Sequence, residues 1–316
     1  MTARVFLNGQ WLAPKDANVS VMDRGFLFGD GVYEVIPVYS RRPFRLEQHL
    51  SRLQHSLDGI QLAHPYRLGQ WIGFVTQLAR EAEWEDQSIY IQVTRGPMAV
   101  RNHAFPKQVT PTAVIFAEAM QTPPAGQREQ GIAAVSAADI RWLRCDLKTT
   151  SLLANCLLRQ MAVAAGCVET VLFRDGFLTE GSASSIFVVK DGVLLAPIKN
   201  HLMLPGITYD VVLELAAQHG LAHEVRDITE AETRNADELW MCSSTKEVLP
   251  IVTLDGRAVG SGVGACPPAV STHPGFRFAA GERNPGQTES GTPGPVFAQM
   301  YAWYQEFKAT VMRAKP

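Results

Sequence analysis

Apolar and polar positions alternate over short stretches in the first third of the chain, shift to helical spacing, and then alternate again. Residues 4–7 read as a short strand, with Val5-Phe6-Leu7 apolar, that turns at Asn8-Gly9 into 10–12. Asn-Gly readily takes the left-handed turn that joins two twisted strands, so this segment predicts a hairpin. Residues 32–39 alternate and are rich in β-branched and aromatic side chains, which predicts a strand. Leu50, Leu53 and Leu57 recur three and four positions apart, predicting a helix over 49–59 that stops at Gly59. A second amphipathic helix is expected over 66–83, followed by strands over 89–94 and 113–117.

Two prolines in Gln121-Thr122-Pro123-Pro124-Ala125-Gly126 remove backbone donors, and the small and polar neighbours offer little to pack. This makes 121–126 the expected linker between a small α+β domain, 1–120, and a larger domain, 127–316. The larger part shows strand signals at 132–135, 170–173, 186–189, 193–196 and 238–241, with helical stretches at 151–165 and 208–220. A final helix is expected over 296–312. Residues 260–295 are crowded with Gly and Pro and follow neither period, so they predict an insert, functional or disordered, with disorder fitting the composition better. Mixed strands and helices in two segments give an α+β fold class.

Composition narrows the function classes. The chain has 316 residues, 46% of them hydrophobic and 19% charged, enough for a sizeable core. A formal net charge of -2 supplies no general field for nucleic acid, and neither a secretion signal nor an apolar stretch long enough for a bilayer is evident. The expectation is therefore a protein with no nucleic-acid or membrane partner. Five cysteines, none in Cys-x-x-Cys spacing, fit thiols in a reducing cytoplasm.

The common chemical motifs are missing. Gly29-Asp30-Gly31 begins like a dinucleotide fingerprint, but Glu34 stands where the third glycine belongs. The histidines are scattered without metal-ligand spacing, so no metal is expected. Lysine is scarce, and Lys148 has an unusual setting in Asp139-Ile140-Arg141-Trp142-Leu143-Arg144-Cys145-Asp146-Leu147-Lys148. In an extended chain Lys148 would share a face with Trp142, Arg144 and Asp146. Such surroundings free an amine for Schiff-base chemistry, although an ordinary surface lysine is the plain alternative. Pro205-Gly206-Ile207-Thr208 precedes a helix whose first amides suit an anion, and Ser243-Ser244-Thr245 follows a strand with hydroxyls and amides of its own. Each alone could equally be a cap or a turn. Glu180, expected in a turn between two strands, could enter the core or stay exposed.

Together these segments resemble the fold-type IV pyridoxal 5'-phosphate (PLP) enzymes. The resemblance is carried by the run from Asp23 to Glu34 (Asp23-Arg24-Gly25-Phe26-Leu27-Phe28-Gly29-Asp30-Gly31-Val32-Tyr33-Glu34) and by His49-Leu50-Ser51-Arg52-Leu53. It continues through residues 89–96 and 139–148, Thr179-Glu180-Gly181-Ser182, Gly206-Ile207-Thr208 and residues 243–247. Within the group the chain is similar above all to the D-amino acid aminotransferases, through residues 139–146 and Arg101-Asn102-His103.

The resemblance implies a two-domain architecture with a small α/β domain and a larger one holding a mixed, barrel-like sheet. It implies PLP as cofactor, Lys148 as the Schiff-base lysine and proton carrier, and Glu180 beside the pyridine nitrogen. Arg52, Ile207, Thr208, Ser243 and Ser244 would hold the phosphate, and Tyr33, Arg101 and His103 the substrate's α-carboxylate. The reaction implied is a ping-pong exchange of amino groups between D-amino acids, such as D-alanine, D-glutamate and D-aspartate, and 2-oxo acids such as pyruvate and 2-oxoglutarate. A homodimer with shared sites is implied too, the Arg101 loop reaching over from the partner. The alternatives are another member of the group (a branched-chain aminotransferase, an (R)-amine transaminase or an aminodeoxychorismate lyase) and, more remotely, a PLP-binding relative without activity. Ala183 and Ser185 depart from the serine and asparagine expected there, and would lie near the cofactor ring and Glu180.

Overall fold

A computed structural model describes residues 4–260 and 291–313. The chain divides into two compact units. The first is Met1–Thr122, joined by Arg144–Leu153 and Glu306–Pro316; the second is Pro123–Leu143 with Ala154–Gln305.

In the first unit the expected hairpin forms from β1 (Val5–Leu7) and β2 (Gln10–Leu12), turning at Asn8 and Gly9 with φ of 49° and 92°. A short helix α1 (Arg24–Phe28) leads into β3 (Gly31–Tyr39) and β4 (Arg42–Pro43). Helices α2 (Leu46–Gly59) and α3 (Leu68–Glu81) follow, then β5 (Gln87–Thr94) and β6 (Thr112–Ala119). The six strands form one antiparallel sheet in the order β2-β1-β6-β5-β3-β4. Its core joins Val32, Ile36, Ile89 and Ile91 of the strands to Leu50, Leu53 and Leu57 of α2 and Trp71, Val75 and Leu78 of α3. Burial of this apolar stripe, worth about 1.5–3 kcal/mol per large side chain, is what holds α2 on the sheet.

The second unit runs α4 (Ala125–Glu129), β7 (Ile132–Ala138), α5 (Leu153–Ala164), β8 (Glu169–Arg174), β9 (Phe177–Gly181), β10 (Ser185–Lys190) and β11 (Val193–Ala196). It continues with α6 (Ile207–Gln218), β12 (His223–Val225), α7 (Glu230–Arg234), β13 (Glu238–Ser243), β14 (Glu247–Leu254), β15 (Arg257–Ala258) and α8 (Pro295–Phe307). Eight of these strands follow the order β12-β11-β10-β13-β14-β7-β8-β9, mixing parallel and antiparallel pairs, while β15 pairs β14 from the side. Only residues 182–184 join β9 to β10, five positions away in that order. Five strand spacings are about 24 Å in a flat sheet, while so short a link spans roughly 14 Å. The sheet therefore curls, as in a barrel. The fold is α+β, as expected.

Several elements depart from the sequence-based expectation. Ala125 and Gly126, the last two residues of the expected linker, open α4, with Pro124 at the N-cap. Residues 144–153 group with the first unit, although they follow the linker in sequence. The cause is a set of backbone pairings with β3: Thr149 bridges Val32, and the Tyr33 N–H donates to the Lys148 carbonyl at 2.9 Å. Most of the expected 260–295 insert, 261–290, lies outside the described residues. No helix among the described residues is long and apolar enough to cross a membrane.

Candidate active site

Helix α2 buries more than its leucines. His49, Arg52 and Ser56 recur at helical spacing beside the leucine stripe and are buried as well. Arg52 grips Glu34 of β3 with two parallel bonds, Nε to Oε2 at 2.9 Å and Nη2 to Oε1 at 2.7 Å. His49 Nδ1 lies 3.1 Å from Glu34 Oε1. Burial pushes the Glu34 carboxyl up, but Arg52 and His49 outweigh it and hold the group well below the usual carboxylate range. Burial lowers the His49 pKa against the pull of Glu34. The neutral ring then donates from Nδ1, which leaves Nε2 bare, and Nε2 is buried with no partner.

Ser56 completes the stripe by accepting the Lys148 N–H at 3.1 Å. Both backbone groups of Lys148 are thus bonded, to Ser56 and to Tyr33, and its Nζ lies 4.2 Å from the centroid of the Tyr33 ring. Gly59 makes this approach possible. A Cβ there would stand 2.4 Å from Leu147 Cδ2, so the Leu147 side chain packs directly on Gly59 and a larger residue would displace it. The expected shared face does not form. Residues 141–148 make bends and turns rather than a strand, Trp142 is exposed, and Arg144 turns back to Asp146 at 3.1 Å.

Tyr33, Arg52 and Lys148 are therefore brought together in the first unit, whereas Arg101 and His103 gather elsewhere in it. Both rest on Phe28, whose ring centroid is 5.0 Å from the Arg101 guanidinium carbon and 5.1 Å from the His103 ring.

In the second unit Glu180 belongs to strand β9 and is buried, so its expected placement in a turn is corrected. Its carboxylate accepts from Arg141 Nη1 and from the Leu204 N–H at 3.2 Å. Burial raises the Glu180 pKa, and Arg141 opposes that without reversing it. Arg141 is itself shared: its Nε and Nη2 reach Asp139 at 2.9 and 2.7 Å. Asp139 also accepts from Thr179 at 3.0 Å and pairs with Arg174 at 3.1 Å.

Ile207 and Thr208 open α6 behind Gly206, whose N-cap position has no side-chain bond to the first amides. A Cβ at Gly206 would stand 2.9 Å from Ser185 Oγ and 3.2 Å from Tyr209 Cβ. Ser185 pairs with Cys242 across β10 and β13 and shares a hydrogen bond with its buried thiol. Ser185 thus brings the start of α6 to the end of β13, where Ser243 ends the strand and Ser244 opens a turn. Both candidate anion sites of this unit meet there. Ala183, by contrast, points outward between Ser182 and Ser184, which are held by the buried Glu169 (Ser184 Oγ to Glu169 Oε2, 2.7 Å). Among the described residues no group of three or more His, Cys, Asp or Glu side chains is placed to hold a metal ion.

A family model described as amino-transferase class IV matches residues 31–254. The chain belongs to the class IV aminotransferases. Curated relatives include D-alanine aminotransferases of Bacillus licheniformis, 37% identical over 82% of this chain and 91% of that protein, and of Staphylococcus aureus (strain MW2), 38% identical over 82% and 92%. Among solved structures, the branched-chain amino acid aminotransferase of Escherichia coli superposes with a TM-score of 0.81, covering 99% of this chain and 95% of that one at 23% identity, a likeness of fold. A fold IV transaminase of Curtobacterium pusillum gives a TM-score of 0.71 at 26% identity over 81% and 93%. The resemblance read from the motifs is borne out at the level of family and of D-alanine aminotransferase relatives.

This class IV aminotransferase should feel acid at Glu34. A carboxyl whose folded pKa is depressed stabilises the fold above its unfolded value, here 4.5, and loses that contribution as pH falls toward the folded value. Glu34→Gln leaves a buried guanidinium without its carboxylate and should cost about 3–5 kcal/mol at pH 7. The penalty should shrink at pH 3, as measured by urea unfolding at the two pH values. A pH-independent penalty would contradict this.

Proposed function

We propose that this protein is a PLP-dependent D-amino acid aminotransferase that passes amino groups between D-amino acids, such as D-alanine, and 2-oxo acids. The observation that carries the proposal is Lys148, fixed through both backbone groups with its amine over Tyr33. The similarity to D-alanine aminotransferases supports the same choice of substrate.

The residues fit the cofactor. At Gly206 a Cβ would press on Ser185 Oγ at 2.9 Å, so glycine lets the first amides of α6 lie close against β10 and near the serines ending β13, a donor set suited to a phosphate. In the first unit Arg52 presents a guanidinium whose direction Glu34 fixes. In this proposal Arg52, Ile207, Thr208, Ser243 and Ser244 hold the phosphate, and Glu180 faces the protonated pyridine nitrogen. When bound, PLP offers an electron sink for the charge that develops on the substrate's Cα. Lys148 would hold the cofactor through its side-chain nitrogen, and the same amine, once free, would take the proton from that carbon. Tyr33 of one subunit and Arg101 and His103 on the loop reaching over from its partner would bind the α-carboxylate, with the guanidinium supplying a bidentate fork.

A homodimer fits this assignment. Phe26 and Val100 are left 74% and 77% exposed near the Arg101 loop, a surface that a second copy would cover. The reading also places the protein in the cytoplasm, where the exposed thiol of Cys156 would stay reduced.

Turnover of D-alanine with 2-oxoglutarate, followed through pyruvate, tests the proposal. Activity with D-alanine and none with L-leucine or L-valine is expected, and the reverse preference would favour the branched-chain alternative. Arg101→Ala should raise the KM for D-alanine about 10- to 100-fold, since a charge-assisted bond is worth roughly 1.5–3 kcal/mol. An unchanged KM would remove Arg101 from the carboxylate site.

A further inference from the structure

The 95–111 connection between β5 and β6 carries Arg101 and His103 and has almost no regular structure of its own. A connection longer than about 12–15 residues needs something to order it, or it bears the full conformational entropy of a loose loop. Arg24, 3% exposed at the start of α1, does the ordering. Its Nη1 donates to the carbonyls of Asn102 at 2.6 Å and Ala104 at 3.3 Å, and its Nη2 to that of His103 at 3.0 Å.

The guanidinium is itself fixed from behind. Its Nε donates to Asp30 Oδ2 at 2.7 Å, an oxygen that also accepts from Arg95 Nε at 2.8 Å. Arg95 in turn holds the carbonyls of Ile60 and Gln61 and lies 3.6 Å from the Phe105 ring centroid. One carboxylate shared by two guanidiniums leaves the outer arm of Arg24 to be satisfied by loop carbonyls, and three consecutive residues supply them. Satisfying this buried cation and setting the path of 102–104 are therefore the same event.

The side chains receive a second support. The Phe28 ring centroid lies 4.9 Å from the Arg24 guanidinium carbon and 5.0 Å from that of Arg101, and 5.1 Å from the His103 ring. Arg101 and His103 are two residues apart and share this one aromatic surface, so cation–π attraction and stacking hold both near a single place.

We propose that Arg24 and Phe28 are positioning residues for substrate carboxylate binding: Arg24 sets the backbone of the Arg101–His103 loop and Phe28 gathers its two side chains. The proposal rests on the assignment of Arg101 and His103 to the carboxylate. A lysine cannot replace Arg24, because one ammonium cannot reach Asp30 and three carbonyls together.

The test compares Arg24→Lys, Phe28→Leu, Arg101→Ala and the Phe28→Leu/Arg101→Ala pair as holoenzymes. For each, kcat and KM for D-alanine and the bound PLP content are measured. Arg24→Lys and Phe28→Leu should raise KM about 5- to 30-fold, with kcat within about threefold and PLP content unchanged, the signature of disturbed positioning. The double variant should raise KM by much less than the product of the single effects, because Phe28 acts through the loop. Should Arg24→Lys prove unstable, Phe28→Leu and the double variant decide alone. An unchanged KM in Phe28→Leu while Arg101→Ala raises it, or effects that multiply, would overturn the proposal and leave the carboxylate assignment intact. An unchanged KM in Arg101→Ala would overturn that assignment, and the proposal with it.

Discussion

Replacing Lys148 with alanine should lower turnover of D-alanine by about 10⁴-fold or more. In the proposed reading the change removes both the covalent anchor of the cofactor and the base that takes the Cα proton, and a positioned base alone contributes about 10²–10⁴-fold. The geometry makes this a clean experiment. The bonds that hold residue 148, from its N–H to Ser56 and from the Tyr33 N–H to its carbonyl, are made by the backbone and survive the substitution. What is lost is an amine over Tyr33. Far-UV circular dichroism should therefore match the parent protein while activity disappears, and added methylamine should restore a small part of it. Activity within tenfold of the parent would show that another residue carries the chemistry.

The second large effect is expected at Glu180. Glu180→Gln keeps the shape and a hydrogen bond for Leu204 but removes the negative charge that would stabilise a protonated pyridine nitrogen. A loss of about 10²–10³-fold in kcat is expected, the size seen when one electrostatic stabiliser of a developing charge is removed. PLP content should hold, because the phosphate donors are separate groups. Arg141 still keeps Asp139 as a carboxylate partner, through bonds at 2.7 and 2.9 Å, so the change does not strand a buried guanidinium. A kcat within threefold of the parent would rule out this role for Glu180.

Sequence periodicity served best where one face of an element is simply apolar. Leu50, Leu53 and Leu57 marked α2, and Asn8-Gly9 marked the first hairpin, because local pattern and burial agree there. It served less well where polar groups are buried in pairs. The stripe of His49, Arg52 and Ser56 has helical spacing that is plain in retrospect, but its partners Glu34 and Lys148 are remote in sequence, and only the folded chain joins them. Strand β9 leaves no strand signal because Glu180 and its polar neighbours read as a turn, yet Arg141 and the Leu204 amide satisfy that carboxylate inside the core.

The 141–148 segment failed for a related reason. An extended chain would put Lys148 on one face with Trp142, Arg144 and Asp146, whereas bends and turns over 141–147 close Arg144 back on Asp146. Arg24 and Phe28 stood within the quoted motif without a role, since carbonyl acceptors leave no mark in a sequence. Lys148 and Glu180 stand out in the sequence only as weak candidates, and Arg101 only through the family resemblance, because no spacing rule links them.

The central claim is that Lys148 holds PLP and that the protein acts on D-amino acids. Its most direct test is the absorption spectrum of the purified holoenzyme, before and after D-alanine or L-alanine is added separately. The account predicts a yellow protein whose visible band is bleached by the D-isomer alone. A protein that takes up no PLP, or a band that answers only to L-amino acids, would contradict it.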